Sequence, residues 1–257
     1  MIKKVENIIL VGTSHISNDS VVRIKESIEK YDPEVIAIEL DYNRLRSLLS
    51  KKKMTFKDKL SLIKKIGIFG FLFYIVASSV QQRISKKTGL KPGIDMLTAY
   101  NLSREKKKIL KLIDLPIEIT LSKFKNIPFH KKISLVLKLL FKSNSKENKE
   151  LLNFDVKKIP KDELILKIIE LIKKEAPIIY KILIENRNMY MCNQLIQLSQ
   201  KHKGKIIAVV GAAHVDGMTR ILEEKFNLIK FENKEINEGE TVNINNYNNL
   251  EYNYYFE

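Results

Sequence analysis

The sequence predicts an α/β protein whose central, mainly parallel sheet is built from two related βα halves separated by a long helical insertion. Two segments carry this prediction. Gly12-Thr13-Ser14-His15 follows the apolar run 8–11, and Gly211-Ala212-Ala213-His214 follows the apolar run 206–210. Each has the pattern of a buried strand, then a glycine, two small residues and a histidine, and then a helix-like stretch. Of the four histidines in the chain, two therefore occupy equivalent places.

The N-terminal half, about residues 1–45, reads as a βαβ unit. Residues 7–12 form a buried strand, and Ser17 or Asn18 caps a helix that runs to about Tyr31, where Asp32-Pro33 ends it. Residues 35–40 form a second buried strand, parallel to the first. Glu39 stands at the carboxyl end of this strand, at the same sheet edge as His15, and ligands of parallel sheets bind at that edge.

The C-terminal half, about residues 205–232, repeats this unit. Its strand and Gly-Ala-Ala-His segment precede a predicted helix from about Asp216 to Phe226 and a strand around 228–231. The insertion, about 46–204, is mainly helical, with one short strand at 109–113 and a long helix at about 177–199. The tail, about 233–257, is rich in Asn, Glu and Tyr, and we expect it to be loosely held or to cross a neighbouring subunit. All four parts form one domain.

Charge and cysteine content limit the class of protein. The formal net charge is +16, but the lysines are spread over helix faces and no nucleic-acid motif accompanies them, so we expect no nucleic-acid partner. Cys192 is the only cysteine, which excludes an intrachain disulfide and fits a reducing compartment. The first residues lack the pattern of a signal peptide. These features together predict a cytoplasmic protein.

Residues 66–80 form an uncharged, largely apolar run with basic residues on both sides. Fifteen helical residues extend about 22 Å, which is less than the roughly 30 Å core of a bilayer. We expect a helix that either packs within the fold or forms the contact of a homodimer. The alternative is peripheral contact with a membrane surface, helped by the flanking cations.

His15, His214 and Glu39 would bring two imidazole nitrogens and a carboxylate from three strand ends to one place. This is a usual ligand set for Mn, Co or Zn, and three protein ligands leave a position open for water. The alternative is that both histidines only make hydrogen bonds in loops. His130 and His202 lack this context, and we expect them at the surface.

Other polar residues are candidates for catalysis or for binding a substrate at the same edge. Arg44 and Arg187 are the catalytic candidates beside Glu39, because an arginine there would stabilise an oxyanion. Arg44 would lie one turn into a short helix that follows Glu39, and Arg187 with Asn188 lies within the long helix of the insertion. An Arg-Asn pair there is either a solvated face or a polar clamp for an oxyanion or a carboxylate. The small residues before each histidine, among them Ser14 and Ala213, would let a substrate approach the backbone closely.

These motifs together resemble the TraB/PrgY family over nearly the whole chain, to about Phe231. The matching segments are Gly12-Thr13-Ser14-His15-Ile16-Ser17, Asp32-Pro33-Glu34, Glu39-Leu40-Asp41 with Arg44, Pro92-Gly93-Ile94-Asp95-Met96, Asp114 to Leu121, Glu185-Asn186-Arg187-Asn188 with Met191, and 209–218. The family is grouped with the Tiki, GumN, erythromycin-esterase and ChaN proteins, which share two Gly-x-x-His motifs, a glutamate and an arginine. By this resemblance, His15 and His214 correspond to the two motif histidines and Glu39 corresponds to the glutamate. Arg44 and Arg187 are the candidates for the arginine.

The resemblance implies a metal-dependent hydrolase core that uses a divalent transition metal, of the peptidase type in Tiki-like members. PrgY-like members are linked to the shutdown of a peptide pheromone, so a short peptide is the expected ligand. Asp95 falls in a segment that would bind substrate, but it stands where the family has glutamate. Leu115 and Asn186 also depart from the family's arginine and glutamate. The alternatives are a protein that sequesters a peptide without catalysis, or one that binds haem or iron in the same cleft.

Overall fold

A five-stranded sheet lies at the centre of the computed structural model, which describes residues 1–14, 18–50, 56–89, 91–128, 131, 169–170 and 172–237. The strands are β1 (Ile2–Val5), β2 (Ile8–Thr13), β3 (Val35–Ile38), β4 (Ile109–Leu112) and β5 (Ile206–Gly211). Their order across the sheet is β1-β2-β5-β3-β4. Strand β1 pairs antiparallel with β2, and the other pairs are parallel. The predicted fold class is confirmed.

In the part of the chain that the structure describes, helices cover both faces of this sheet and make up most of the insertion. They are α1 (Asn18–Tyr31), α2 (Tyr42–Ser50), α3 (Phe56–Thr88), α4 (Ile94–Glu105), α5 (Ile117–Ser122), which continues into a 3-10 turn (Lys123–Asn126), α6 (Pro177–Tyr180), a π-helical turn (Lys181–Glu185), α7 (Asn186–Lys201) and α8 (Ala212–Asn237). Helices α1 and α4 pack against one face, and α7 and α8 against the other.

Both faces of the three inner strands are buried, which explains their continuous apolar sequences. Successive side chains of a strand point to opposite faces. Leu10 and Ala208 therefore join the core beneath α7 and α8, whereas Ile9 and Ile207 join the core beneath α1 and α4. A strand that is covered on both sides needs apolar residues at every position rather than at alternate ones.

The last strand, β5, is inserted between β2 and β3. Its Val209 is paired with Val11 on one side and with Ile38 on the other, and its Gly211 is paired with Thr13. The connection from β2 through α1 to β3 therefore passes over β5. As a consequence, the two repeated Gly-x-x-His segments leave the sheet from neighbouring strands at the same edge.

Helix α8 differs from the prediction at both ends. It begins at Ala212, directly after β5, and it continues through the region 228–231, for which a strand was predicted. Leu222 is fully buried, and Phe226 and Ile229 pack on the same core at helical spacing. Leu228 and Phe231 are each 60% exposed, as expected on the outer face of a helix. The strand prediction was wrong because a short apolar run has no period that separates a strand from a helix.

The apolar run 66–80 is helical, as predicted, and lies within α3. The helix is kinked at Gly67, whose φ of 76° and ψ of 165° lie in a region that is essentially restricted to glycine. Ile66 is buried with Leu121 and Phe124 in a separate apolar cluster, whereas Ile68 is 79% exposed. None of the helices in the described ranges is long and apolar enough to cross a membrane.

Candidate functional site

The carboxyl edge of the sheet gathers most of the predicted site residues. Thr13 of β2 and Gly211 of β5 are register partners, so the segments that follow them begin side by side. His15 lies outside the residues that the structure describes, as does His130. The site is therefore described from the second Gly-x-x-His motif (211–214), from the end of β3 and from the residues that contact them.

Glu39 is the residue after β3, and it is buried, with 2% exposed. Its backbone N–H donates to the carbonyl of Val209 at 3.0 Å, which fixes it beside β5. The carboxylate Oε2 accepts a hydrogen bond from the Gly211 N–H at 2.6 Å. The other oxygen, Oε1, accepts from Arg187 and lies 3.2 Å from Nε2 of His214. The structure thus brings together Glu39, Arg187 and His214, which lie far apart in the sequence.

His214 lies in the first turn of α8 and is 3% exposed. Its Nδ1 is 2.5 Å from Oδ1 of Asn188. Because an amide oxygen only accepts hydrogen bonds, Nδ1 carries the proton here and the lone pair of a neutral ring lies on Nε2. The Asn188 amide in turn packs on Gly217, where a Cβ atom would overlap with Nδ2 of Asn188. Asn188, predicted as a substrate residue, thus orients the imidazole.

Arg187 is enclosed by acceptors on all sides. Its Nε and Nη2 donate to Asp114 at 2.9 Å and 2.8 Å, Nη2 also donates to Glu39, and Nη1 donates to the carbonyl of Leu183 at 3.2 Å. Burial alone would lower the pKa of the Arg187 guanidinium, but the charges of Asp114 and Glu39 outweigh burial and raise it. Arg187 therefore stays charged and holds both carboxylates in place.

The π-helical turn that precedes α7 helps to place Arg187. Within it, the N–H of Asn186 donates to the carbonyl of Lys181, five residues back rather than four. Such turns locally disrupt the regular ladder of a helix and are frequent at functional sites.

Asp114 is the main residue that was missing from the predicted site. It follows β4 at the same edge, is 5% exposed, and accepts hydrogen bonds from Arg187 and, at 2.6 Å, from Nη1 of Arg44. The signal was present in the sequence, because Asp114 directly follows the strand predicted at 109–113, and an acid after a strand that joins the parallel sheet lies at the carboxyl edge, as Glu39 does. Arg44 thus joins the site through Asp114.

The remaining predicted residues support the first motif or flank the second. Ser14 is buried, and its N–H and hydroxyl both lie within hydrogen-bond distance of Oγ of Ser20. Asp95 is fully buried in the first turn of α4 and accepts a 2.5 Å hydrogen bond from Oγ1 of Thr13. Ala213 is half-buried directly before His214. Asp95 contacts the first motif itself, so its position is suited to holding that segment.

The chemistry of the donors fits a divalent transition metal. Nε2 of His214 and Oε1 of Glu39 are both acceptors when the imidazole is neutral, and they face each other at 3.2 Å. Two ligands that each lie about 2.0–2.2 Å from one ion have a separation of this size. Within the described ranges, no group of three or more His, Cys, Asp or Glu side chains could hold a metal ion. The third donor predicted from the sequence, His15, falls outside those ranges.

Comparisons with known proteins agree with the resemblance in the motifs. The model of the TraB/PrgY/gumN family matches residues 2–225. An uncharacterised protein of Methanocaldococcus jannaschii is 34% identical over 231 residues, which cover 86% of this chain and 54% of that protein. TraB domain-containing proteins of Mus musculus and Homo sapiens are each 23% identical over 248 residues, which cover 85% of this chain and 63% of each relative.

The chain thus spans between about half and two-thirds of the length of these relatives. The family model covers the chain from β1 into α8, and therefore includes both halves of the sheet and every element that contributes to the site. On this match and on the identity to the archaeal relative, the chain belongs to the TraB/PrgY/gumN family.

Proposed function

We propose that this chain is a metal-dependent hydrolase that cleaves short peptides at the carboxyl edge of its sheet. The observation that carries the proposal is the buried pair formed by Nε2 of His214 and Oε1 of Glu39. Two facing acceptors repel each other unless a cation or a shared proton lies between them. A divalent ion satisfies both atoms, and His15 is the expected third ligand.

The surrounding residues are suited to hold such an ion. A metal-binding histidine usually donates its other ring N–H to an oxygen, which fixes the ring, and Asn188 supplies that oxygen for His214. Arg187 and the Gly211 N–H hold the Glu39 carboxylate in one orientation. When bound, the metal would lower the pKa of its water towards neutrality and polarise a peptide carbonyl. In this proposal Glu39 would either bind the metal or take a proton from the water.

A peptide-cleavage screen tests this proposal. The purified protein is incubated with a pool of short peptides and Mn²⁺, Co²⁺ or Zn²⁺, and cleavage is followed by mass spectrometry. We expect metal-dependent cleavage that is lost in His214→Ala and retained in His202→Ala, because His202 lies away from this site beside Glu34. The variant Glu39→Gln separates the two roles of Glu39. If Glu39 is the general base, the variant still binds metal but does not cleave peptides. If Glu39 is a metal ligand, the variant loses both metal binding and cleavage.

Metal binding without cleavage of any peptide would reject catalysis and favour a protein that sequesters a peptide or binds iron or haem in the same cleft. Cleavage that persists in both His214→Ala and a metal-free buffer would show that the hydrolytic site lies elsewhere.

A further inference from the structure

The two candidate arginines of the site are in different environments. The side chain of Arg187 is 14% exposed, and each of its three nitrogens donates to Asp114, Glu39 or the carbonyl of Leu183. Its donors are engaged in fixing the site, which leaves it poorly placed to receive a ligand.

Arg44 is more accessible and has fewer contacts. Its side chain is 34% exposed, and in the contacts of the described residues its guanidinium has one partner, Oδ2 of Asp114 at 2.6 Å from Nη1. A guanidinium carries five N–H donors, and the described residues engage Arg44 through Nη1 alone, at a side chain that is one-third exposed to solvent. Its backbone is fixed, because the Arg44 N–H donates to Oδ1 of Asp41, which is buried before α2.

Contacts connect Arg44 to the reacting end of the site. Arg44 and Arg187 share Oδ2 of Asp114, and Arg187 also reaches Oε1 of Glu39, beside Nε2 of His214. Added end to end, these contacts show that the distance from the Arg44 guanidinium to Nε2 of His214 is no greater than about the length of three extended peptide residues. The net charge of +16 also favours the approach of an anion.

We propose that Arg44 binds the C-terminal carboxylate of the substrate, so that the site selects short peptides with a free C-terminus. The inference rests on the proposed function in taking a peptide as the substrate. A guanidinium binds a carboxylate through two parallel hydrogen bonds, a geometry that an amide end does not reproduce. Arg44 is therefore assigned to specificity, and Arg187 to holding Glu39 and Asp114.

The test measures binding, so it does not depend on cleavage. Two pools of N-acetylated tripeptides without Asp or Glu, one with C-terminal acids and one with C-terminal amides, are dialysed against the Mn²⁺-loaded protein. We expect the acids to be retained roughly tenfold more than the amides, as for a hydrogen bond between charged groups. In Arg44→Gln this preference should fall to about one, and Arg44→Lys should retain part of it.

Arg46→Gln is the matched control, because Arg46 is an exposed arginine on the same helix. It should keep the preference for acids. Three outcomes would overturn the inference. The wild type could retain acids and amides to the same extent, it could retain neither pool, or the preference for acids could survive in Arg44→Gln. If both pools are cleaved at equal rates, the proposed hydrolase activity is supported and the role of Arg44 is rejected. Retention of acids that depends on Arg44, without cleavage, would support that role and reject hydrolysis.

Discussion

Gly217 lets Asn188 approach the imidazole of His214. An alanine within a helix usually stabilises a protein by about 1 kcal/mol relative to glycine. At position 217 we expect the opposite, because the new Cβ would overlap with the amide of Asn188, which is only 2% exposed. Gly217→Ala should lower the free energy of unfolding, measured in urea, and should weaken metal binding by roughly 10–100-fold, as is typical when a partner of a ligand is disturbed.

The double variant Gly217→Ala, Asn188→Ala supplies the control for this prediction. Removing the amide removes the overlap, so the helix should regain the ordinary benefit of alanine, and the two changes should not be additive. Additive effects on stability would show that Gly217 and Asn188 do not interact.

Arg187 neutralises two carboxylates that are almost fully buried. Its replacement by methionine keeps an unbranched, flexible stem but removes the guanidinium, which leaves Glu39 and Asp114 without their shared cation. Breaking a buried ion pair by removing one partner typically costs about 3–5 kcal/mol, and we expect a loss of that order in the free energy of unfolding. Arg46→Met, at an exposed position, should change it by less than about 0.5 kcal/mol. A loss below about 1 kcal/mol in Arg187→Met would contradict the assigned role.

The candidate residues at the ends of strands could be predicted from the sequence, but the residues that contact them could not. Glu39 and His214 each follow an apolar strand, so their place at the carboxyl edge follows from local pattern alone. The bond between Arg187 and Asp114 joins residues 73 positions apart, and it depends on where the start of α7 lies relative to the segment that follows β4. No local pattern encodes that packing. The position of His15 remains a prediction.

Glu34 connects the loop before β5 to the start of β3. Its carboxylate accepts hydrogen bonds from Nδ1 of His202 at 2.6 Å and from the Gly204 N–H at 2.9 Å. The hydrogen bond from His202 is the largest of the effects that lower the pKa of Glu34 below its ordinary value of 4.5. The folded protein therefore binds this proton less readily than the unfolded chain does.

The sign of the pH dependence follows from the lowered pKa. The contribution of Glu34 to stability is fully present above pH 4.5 and is lost as the pH falls through the lower pKa of the folded state. Urea unfolding of the wild type and Glu34→Gln between pH 7 and about pH 3 should show a difference that shrinks below pH 4.5. Glu224→Gln, at an exposed position on α8, should show no such trend. A difference for Glu34→Gln that stays constant down to pH 3 would refute this account.

The inner strands were predictable because their sequences are continuously apolar, and the fold class follows from them. The order of the strands could not be predicted. Local sequence does not show whether β5 pairs between β2 and β3 or at an edge of the sheet. β1 was not predicted, because its Ile2, Lys3 and Lys4 are exposed at an edge and lack the apolar signature of the inner strands.

We expect two copies of the protein to meet at the exposed face of α3. Ile68 and Ile75 are seven residues apart, so they share one face of the helix, and they are 79% and 39% exposed. Ile68→Asp should shift sedimentation from dimer to monomer, whereas Leu228→Asp, at a 60% exposed position on α8, should not. A wild-type protein that is monomeric at micromolar concentrations would reject the dimer. Cosedimentation with anionic vesicles would then test the membrane alternative for 66–80.

The proposed metal site lies at the carboxyl edge of the sheet and is formed by both Gly-x-x-His segments and Glu39. Mn²⁺ and Zn²⁺ are titrated calorimetrically into the wild type, His15→Ala, His214→Ala and His202→Ala, and circular dichroism checks that each variant is folded. We predict one bound ion in the wild type and in His202→Ala. In the other two variants we predict a loss of affinity larger than the roughly 10–100-fold that follows removal of an outer partner. Equal affinity in all four proteins, or no binding by the wild type, would contradict this proposal.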